Sequence, residues 1–197
     1  MRPLHAFLLA LALLQPVEQL DMRVQRAVQS HRTPVMDRVM QSATDLGRRD
    51  VVAGTLLGIA VLDPVQGPAL ARLALIALAG TNLVVEGLKF AVGRTRPDGE
   101  RKRSNASFPS SHAASAVSMA WVLARRWRRL GFLLWPLVTA VAWSRVYLNR
   151  HYLSDVVVGI AIGLLCTWAI LRVRALDPAR KGAVQPPHGG PGSAESS

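Results

Sequence analysis

The sequence predicts an all-α fold, a polytopic membrane bundle of about six transmembrane helices. Three observations lead there. Half of the 197 residues are hydrophobic. They gather into six apolar segments separated by charges and turn residues. The basic excess, +12 at neutral pH, clusters between and after those segments. A soluble domain with this charge would be more polar than a mean hydropathy of +0.24. Apolar runs bounded by basic loops are instead the pattern of membrane spans. A nucleic-acid binder is the other common owner of such a charge and is carried forward as a rival. The single cysteine, Cys166, excludes an intrachain disulfide and a Cys-rich metal site.

The first apolar segment, Pro3 to Val17, lies between Arg2 and Glu18. A short span, a signal anchor or a cleavable signal peptide all fit its length. Gln15-Pro16-Val17-Glu18 is a poor small-x-small cleavage site, which favours retention. From Leu20 to Leu46 the pattern changes. Val35, Met36, Val39, Met40 and Ala43 recur at helical spacing, with Arg32, Asp37, Arg38 and Asp45 between them. That is an amphipathic helix, lying on a membrane surface or packed against the bundle.

Five further segments follow: Val51 to Leu62, Leu73 to Phe90, Ser110 to Ala124, Leu130 to Ser144 and Val156 to Leu171. A span takes roughly 17–25 residues, and none of these is that long without a charge. Interfacial residues such as Tyr152 and Leu153 bring the last close to length. Five such segments in one short chain argue for a membrane protein. The expected organisation is an N-terminal span or anchor over 1–18, an amphipathic segment over 19–50, and a membrane domain over 51–175. The Pro-, Gly- and Ser-rich residues 176–197 read as a disordered tail.

Charge orients the bundle. Arg125, Arg126, Arg128 and Arg129 crowd the link between the fourth and fifth segments, and Arg172, Arg174, Arg180 and Lys181 follow the sixth. Six spans put both clusters on one side, which the positive-inside tendency makes cytoplasmic in a cell (inner) membrane. The loop from Gly93 to Phe108 then falls outside, although it carries Arg94, Arg96, Arg101, Lys102 and Arg103. Such a violation calls for a local reason, and anion binding is the obvious one.

Three stretches carry candidate chemistry. Lys89 and Arg96 are seven residues apart, so a helix ending near Arg96, with Pro97 and Gly99 marking its end, places both on one face. A lysine near an apolar helix end also snorkels without any such role. Pro109-Ser110-Ser111-His112 opens an apolar helix. Ser110 is an N-cap candidate, and the free backbone N–H groups and dipole of that terminus suit a phosphate. A plain cap with an incidental histidine is the bland alternative. In Ser144-Arg145 through His151 to Asp155, the last two residues are four apart and share a helix face. A carboxylate on Nδ1 of His151 fixes the tautomer and leaves Nε2 free to attack. Arg145 offers a planar fork to a phosphate. A surface hydrogen bond or half a metal site would show the same His–Asp spacing, but no further carboxylate or histidine cluster completes a metal site.

Together these residues resemble the type 2 phosphatidic acid phosphatase superfamily, which also includes glucose-6-phosphatase and the vanadium haloperoxidases. The family pattern is K-x6-RP, then PSGH, then SR-x5-H-x3-D. Lys89, Arg96-Pro97, Pro109-Ser110, His112, Ser144-Arg145, His151 and Asp155 fit it in order and spacing across about residues 80–172. One residue departs: Ser111 stands where the pattern has Gly, keeping the backbone N–H but limiting close approach. The resemblance implies a bundle with that superfamily's core. It implies a nucleophile at His151, oriented by Asp155, with His112 protonating the leaving oxygen. Lys89, Arg96, Arg145, Ser110 and the backbone at Ser111 would hold the phosphate, with no metal and no cofactor. Arg94, Arg101, Lys102 and Arg103 are expected to be solvated loop charges that steer anionic headgroups.

The expected function is therefore hydrolysis of a lipid phosphate or prenyl diphosphate at the non-cytoplasmic face, with membrane lipids rather than nucleic acid as partners. Six spans put all three motifs on that face. A non-catalytic basic membrane-binding protein explains the charge but not the His–Asp spacing. A transporter would rest on Glu86, the one acid within a span, which can simply pair with a neighbour. The apolar spans also argue against a haloperoxidase.

Overall fold

A computed structural model describes residues 2–102 and 105–175. Seven helices follow in order: α1 (Arg2–Ser30), α2 (Pro34–Asp45), α3 (Arg49–Leu62), α4 (Gly67–Val92), α5 (Ser111–Arg126), α6 (Gly131–Tyr147) and α7 (Leu153–Ala175). A short 3₁₀ turn, Arg128–Leu130, leads into α6. No strand occurs among the described residues. The all-α expectation holds.

Local chemistry explains several boundaries. Thr33 caps α2, its side chain accepting from Met36 N at 3.2 Å, with Pro34 at the first helical position. Gly93, at φ 61°, ends α4 in the left-handed conformation, and its N–H donates back to Lys89 O. The expected boundary at residue 18 falls inside α1, which runs on to Ser30, so residues 19–50 divide among α1, α2 and the start of α3. Residues 176–197, expected as a tail, lie outside the described residues.

Three helical segments are long and apolar enough to cross a membrane: Gly67–Val92, Arg128–Tyr147 and Leu153–Arg174. Asp50–Leu62 is a shorter apolar helix. Six spans were expected, so length and composition supply half that number among the described residues. Their outward faces carry Leu83, Phe90, Phe132, Leu133 and Val173, all exposed. Large side chains of this kind suit hydrocarbon rather than water.

The core centres on α5, which packs against α4, α6 and α7. Most of its buried residues are small, among them Ala113, Ala114, Val117, Ser118 and Ala120. Lipid offers helices no hydrophobic reason to associate, so close packing and interhelical hydrogen bonds must hold them. Both are present. Ser118 Oγ lies 2.8 Å from Thr81 Oγ1 and 2.6 Å from Thr167 Oγ1, joining α4, α5 and α7. Gly159 and Gly163 press α7 onto α5 so tightly that a Cβ on them would sit 2.5 Å from Ser110 O and 2.4 Å from Ala114 O. These are backbone obstacles that cannot rotate away. The crossing brings the end of α4, the start of α5, the end of α6 and the start of α7 together at one end of the bundle.

Gly163→Val is expected to destabilise the bundle by about 1–3 kcal/mol through overpacking. Gly87→Ala, which meets open space, should stay within about 0.5 kcal/mol. Thermal unfolding in detergent, read for both variants, checks the contrast.

Candidate active site

His151 lies in the turn between α6 and α7, 1% exposed, with its backbone N–H held by Arg145 O at 3.0 Å. Its Nδ1 is 2.6 Å from the carbonyl oxygen of Ser107. A carbonyl can only accept, so Nδ1 carries the proton and Nε2 presents its lone pair. The sequence assigned this task to Asp155, but the Asp155 carboxylate is 3.8 Å from Nδ1. The reason is that α7 begins at Leu153, leaving His151 outside the helix that would have aligned the pair. Asp155 instead accepts from Ser107 Oγ at 2.5 Å, Tyr152 N at 2.9 Å and Arg94 at 2.6 Å. It therefore fixes the segment whose carbonyl fixes His151. Burial holds the imidazole far below its ordinary value, at about 4, opposed by Asp155 and reinforced by Arg145 and Arg96.

Nε2 of His151 faces the Arg96 guanidinium at 3.4 Å. Arg96 is not on a helix with Lys89 as expected, because the Gly93 cap ends α4 first. It comes from the following loop, held by Asn105 O at 2.7 Å, Asn105 Oδ1 at 2.6 Å and Arg150 O at 2.8 Å. Lys89 is buried at the end of α4, donating to Glu86 at 2.9 Å and to Ser111 Oγ at 3.2 Å. The departure from the family pattern at Ser111 thus adds a contact to the lysine. Arg145, on α6, donates to Thr44 Oγ1 of α2 at 2.6 Å.

Two polar atoms here are buried with no partner among the described residues: Arg145 Nε and Ser110 Oγ. Ser110 occupies the N-cap position of α5, yet its hydroxyl makes no capping bond. Its N–H donates to Asp155 O at 3.0 Å, tying α5 to α7. Buried donors left unpaired cost stability, so a site that keeps them has use for them. The first N–H groups of α5, at Ser111 and His112, also lack intrahelical partners by position. His112 and Ser111 line a cavity of about 370 Å³ between α3, α4 and α5, together with Val52, Leu56, Leu75 and Leu78.

Sequence reasoning missed three residues. Ser107 and Asp21 carry no local signal, since each acts through partners distant in sequence. Arg94 was expected among the solvated loop charges. Its guanidinium bridges Asp155 at 2.6 Å and Asp21 at 2.8 Å, and lies over the Tyr152 ring at 4.2 Å. Arg101 and Lys102 are exposed, and Arg103 lies outside the described residues.

A helical membrane bundle with cations and a tautomer-fixed histidine gathered at one end is a defined class of protein, and the comparisons agree with it. The model of the PAP2 superfamily matches residues 70–177, more than half of the chain. The chain belongs to that superfamily. It is 31% identical over 84 residues to lipid A 4'-phosphatase of Porphyromonas gingivalis, covering 41% of this chain and 36% of the relative. It is 36% identical over 116 residues to decaprenylphosphoryl-5-phosphoribose phosphatase of Mycobacterium tuberculosis, covering 53% of this chain and 63% of the relative. The chain thus spans about a third and just under two thirds of the lengths of these relatives. The crystal structure of a transmembrane PAP2-type phosphatidylglycerolphosphate phosphatase from Bacillus subtilis superposes with a TM-score of 0.71 at 24% identity, over 90% of this chain and 98% of that one. That likeness is one of fold.

Arg94→Ala leaves Asp21 and Asp155 buried without their shared cation, so a loss of about 3–5 kcal/mol is expected. Arg101→Ala, at an exposed position, should change stability by about 0.5 kcal/mol or less. Unfolding temperatures of the two variants in detergent distinguish them.

Proposed function

We propose that the protein is a membrane phosphatase that hydrolyses a lipid phosphate or prenyl diphosphate through a phosphohistidine, without a metal. Phosphatidic acid, phosphatidylglycerol phosphate and undecaprenyl diphosphate are the candidate substrates. The observation that carries this reading is the 2.6 Å bond from His151 Nδ1 to the Ser107 carbonyl. It leaves an uncharged nitrogen whose lone pair meets Arg96 at 3.4 Å, at the end of the bundle where Arg145 Nε and Ser110 Oγ are buried without partners among the described residues.

In this reading His151 Nε2 attacks phosphorus and the bond to the leaving oxygen breaks. Burial and the surrounding cations hold His112 low, at about 3, in the free site. With a phosphate dianion offsetting those cations, it gives the leaving oxygen a proton, then takes one from the water that cleaves the P–N bond and frees phosphate. The imidazolium formed on attack is stabilised by the nearby Asp155 carboxylate. Arg96, Arg145, Lys89, Ser110 Oγ and the Ser111 N–H hold the phosphoryl oxygens, a role preorganised cations fill well in a buried site. The largely apolar cavity that His112 lines receives the hydrocarbon chain next to the headgroup. The chain sits in the cell (inner) membrane with this end of the bundle at the non-cytoplasmic face, as the basic links at the opposite end support.

Protein purified in detergent should release inorganic phosphate from a panel of lipid phosphates in excess EDTA, and vanadate should inhibit it. His151→Ala should lower turnover about 10⁴-fold or more, and His112→Ala about 10²–10⁴-fold, with folding intact. Full activity in His151→Ala, or complete loss in EDTA, overturns the mechanism.

A nucleophile must be unprotonated, and His151 is held at about 4. Activity assigned to it should persist as pH falls through 6 and disappear only near that value. The acid limb of kcat/KM reports this group in the free enzyme.

A further inference from the structure

We infer that α1, which precedes the family-matched segment, belongs to the catalytic apparatus: Asp21, Gln25 and Gln29 clamp the turn that carries His151, and Asp21 is its positioning residue. The three residues are spaced by four and form one stripe along the helix. Each reaches the α6–α7 connection. Gln29 Nε2 donates to Tyr147 O at 3.1 Å, and Gln25 Nε2 donates to Val146 O at 3.3 Å and to Asn149 Oδ1 at 2.5 Å. Asp21 Oδ1 accepts from Ser154 N at 2.9 Å, and Oδ2 accepts from Ser154 Oγ at 2.5 Å. The stripe therefore fastens both ends of the turn that holds His151. Between them Asn149 takes φ 60°, a left-handed conformation that needs its surroundings to hold it.

Asp21 does more than fasten. It is 2% exposed and takes one amino group of Arg94 at 2.8 Å, which aims the other at Asp155 Oδ1 at 2.6 Å. Asp155 Oδ2 is then left to Ser107 Oγ and Tyr152 N. The Ser107 carbonyl in turn sets the tautomer of His151. Packing alone does not call for this arrangement, because buried ion pairs are often replaced by apolar residues without loss of stability. A carboxylate at this position orients the guanidinium, and the guanidinium orients everything down to Nε2.

The inference rests on the phosphatase reading, and the experiment separates the two. The full chain in detergent, as wild type, Asp21→Asn, Asp21→Glu and Gln25→Ala, is assayed for kcat and KM on the lipid-phosphate panel. Hydrogen exchange is followed in the peptide spanning 146–155. Misplacing a nucleophile by about 1 Å costs on the order of 10²-fold, so Asp21→Asn should lower kcat about 10–100-fold with KM within about twofold. Asp21→Glu should recover part of the loss, and Gln25→Ala should lower kcat less. Exchange in the 146–155 peptide should rise in Asp21→Asn and Gln25→Ala while the α4 peptides keep their protection. If Asp21→Asn does not fold, Gln25→Ala decides by the same kcat and exchange criteria. A wild type that turns over substrate, with kcat in the deciding variant within about twofold, or a rise in KM alone, overturns the clamp only. A wild type inactive on every lipid phosphate overturns the phosphatase reading and the catalytic meaning of the clamp together.

Discussion

The structure depends on how one buried carboxylate is satisfied. Asp155 is fully buried at the start of α7, where an unpaired charge would cost several kcal/mol. Arg94, Ser107 and the Tyr152 N–H meet it from three directions. In doing so they draw in the loop after α4, the segment before α5 and the turn before α7. His151 is aligned as a by-product of that convergence, through the carbonyl of a residue whose side chain serves Asp155. Geometry and charge balance are one arrangement here.

Around this centre the cations fall into two kinds. Arg96 is tied by backbone and side-chain oxygens on three sides, and so keeps one pose. Among the described residues Arg145 keeps a buried nitrogen without a partner, as Ser110 keeps its hydroxyl. The first kind supplies a fixed field and the second supplies vacant valences. A site that receives an anion needs both, since rigid charge lowers reorganisation and open donors give specificity.

Much of this was legible in the sequence, for a physical reason. Lys89, Ser110, His112, Arg145, His151 and Asp155 sit at helix ends, where short spacings translate directly into proximity. Errors arose where backbone detail outweighed spacing. Gly93 ended α4 before Arg96, and α7 began after His151, so two residue pairs expected on helices were joined through loops instead. What stayed hidden was long-range. Asp21 carries no local signal, and only the fold brings it to Arg94, 73 residues away in the chain. Six spans were likewise expected from apolar runs, while among the described residues three helices are long and apolar enough to cross.

The glycine crossing of α5 and α7 has a wider consequence. With Gly159 and Gly163 against the main chain of α5, and Ser110 N–H bonded to Asp155 O at 3.0 Å, the spacing between the α5 N-terminus and the histidine turn is a main-chain distance. Side-chain motion cannot alter it. Warming or a change of detergent can loosen the outer, lipid-facing residues long before that spacing moves. Loss of the site then coincides with the parting of two helices, so its working range and the integrity of the bundle share one limit.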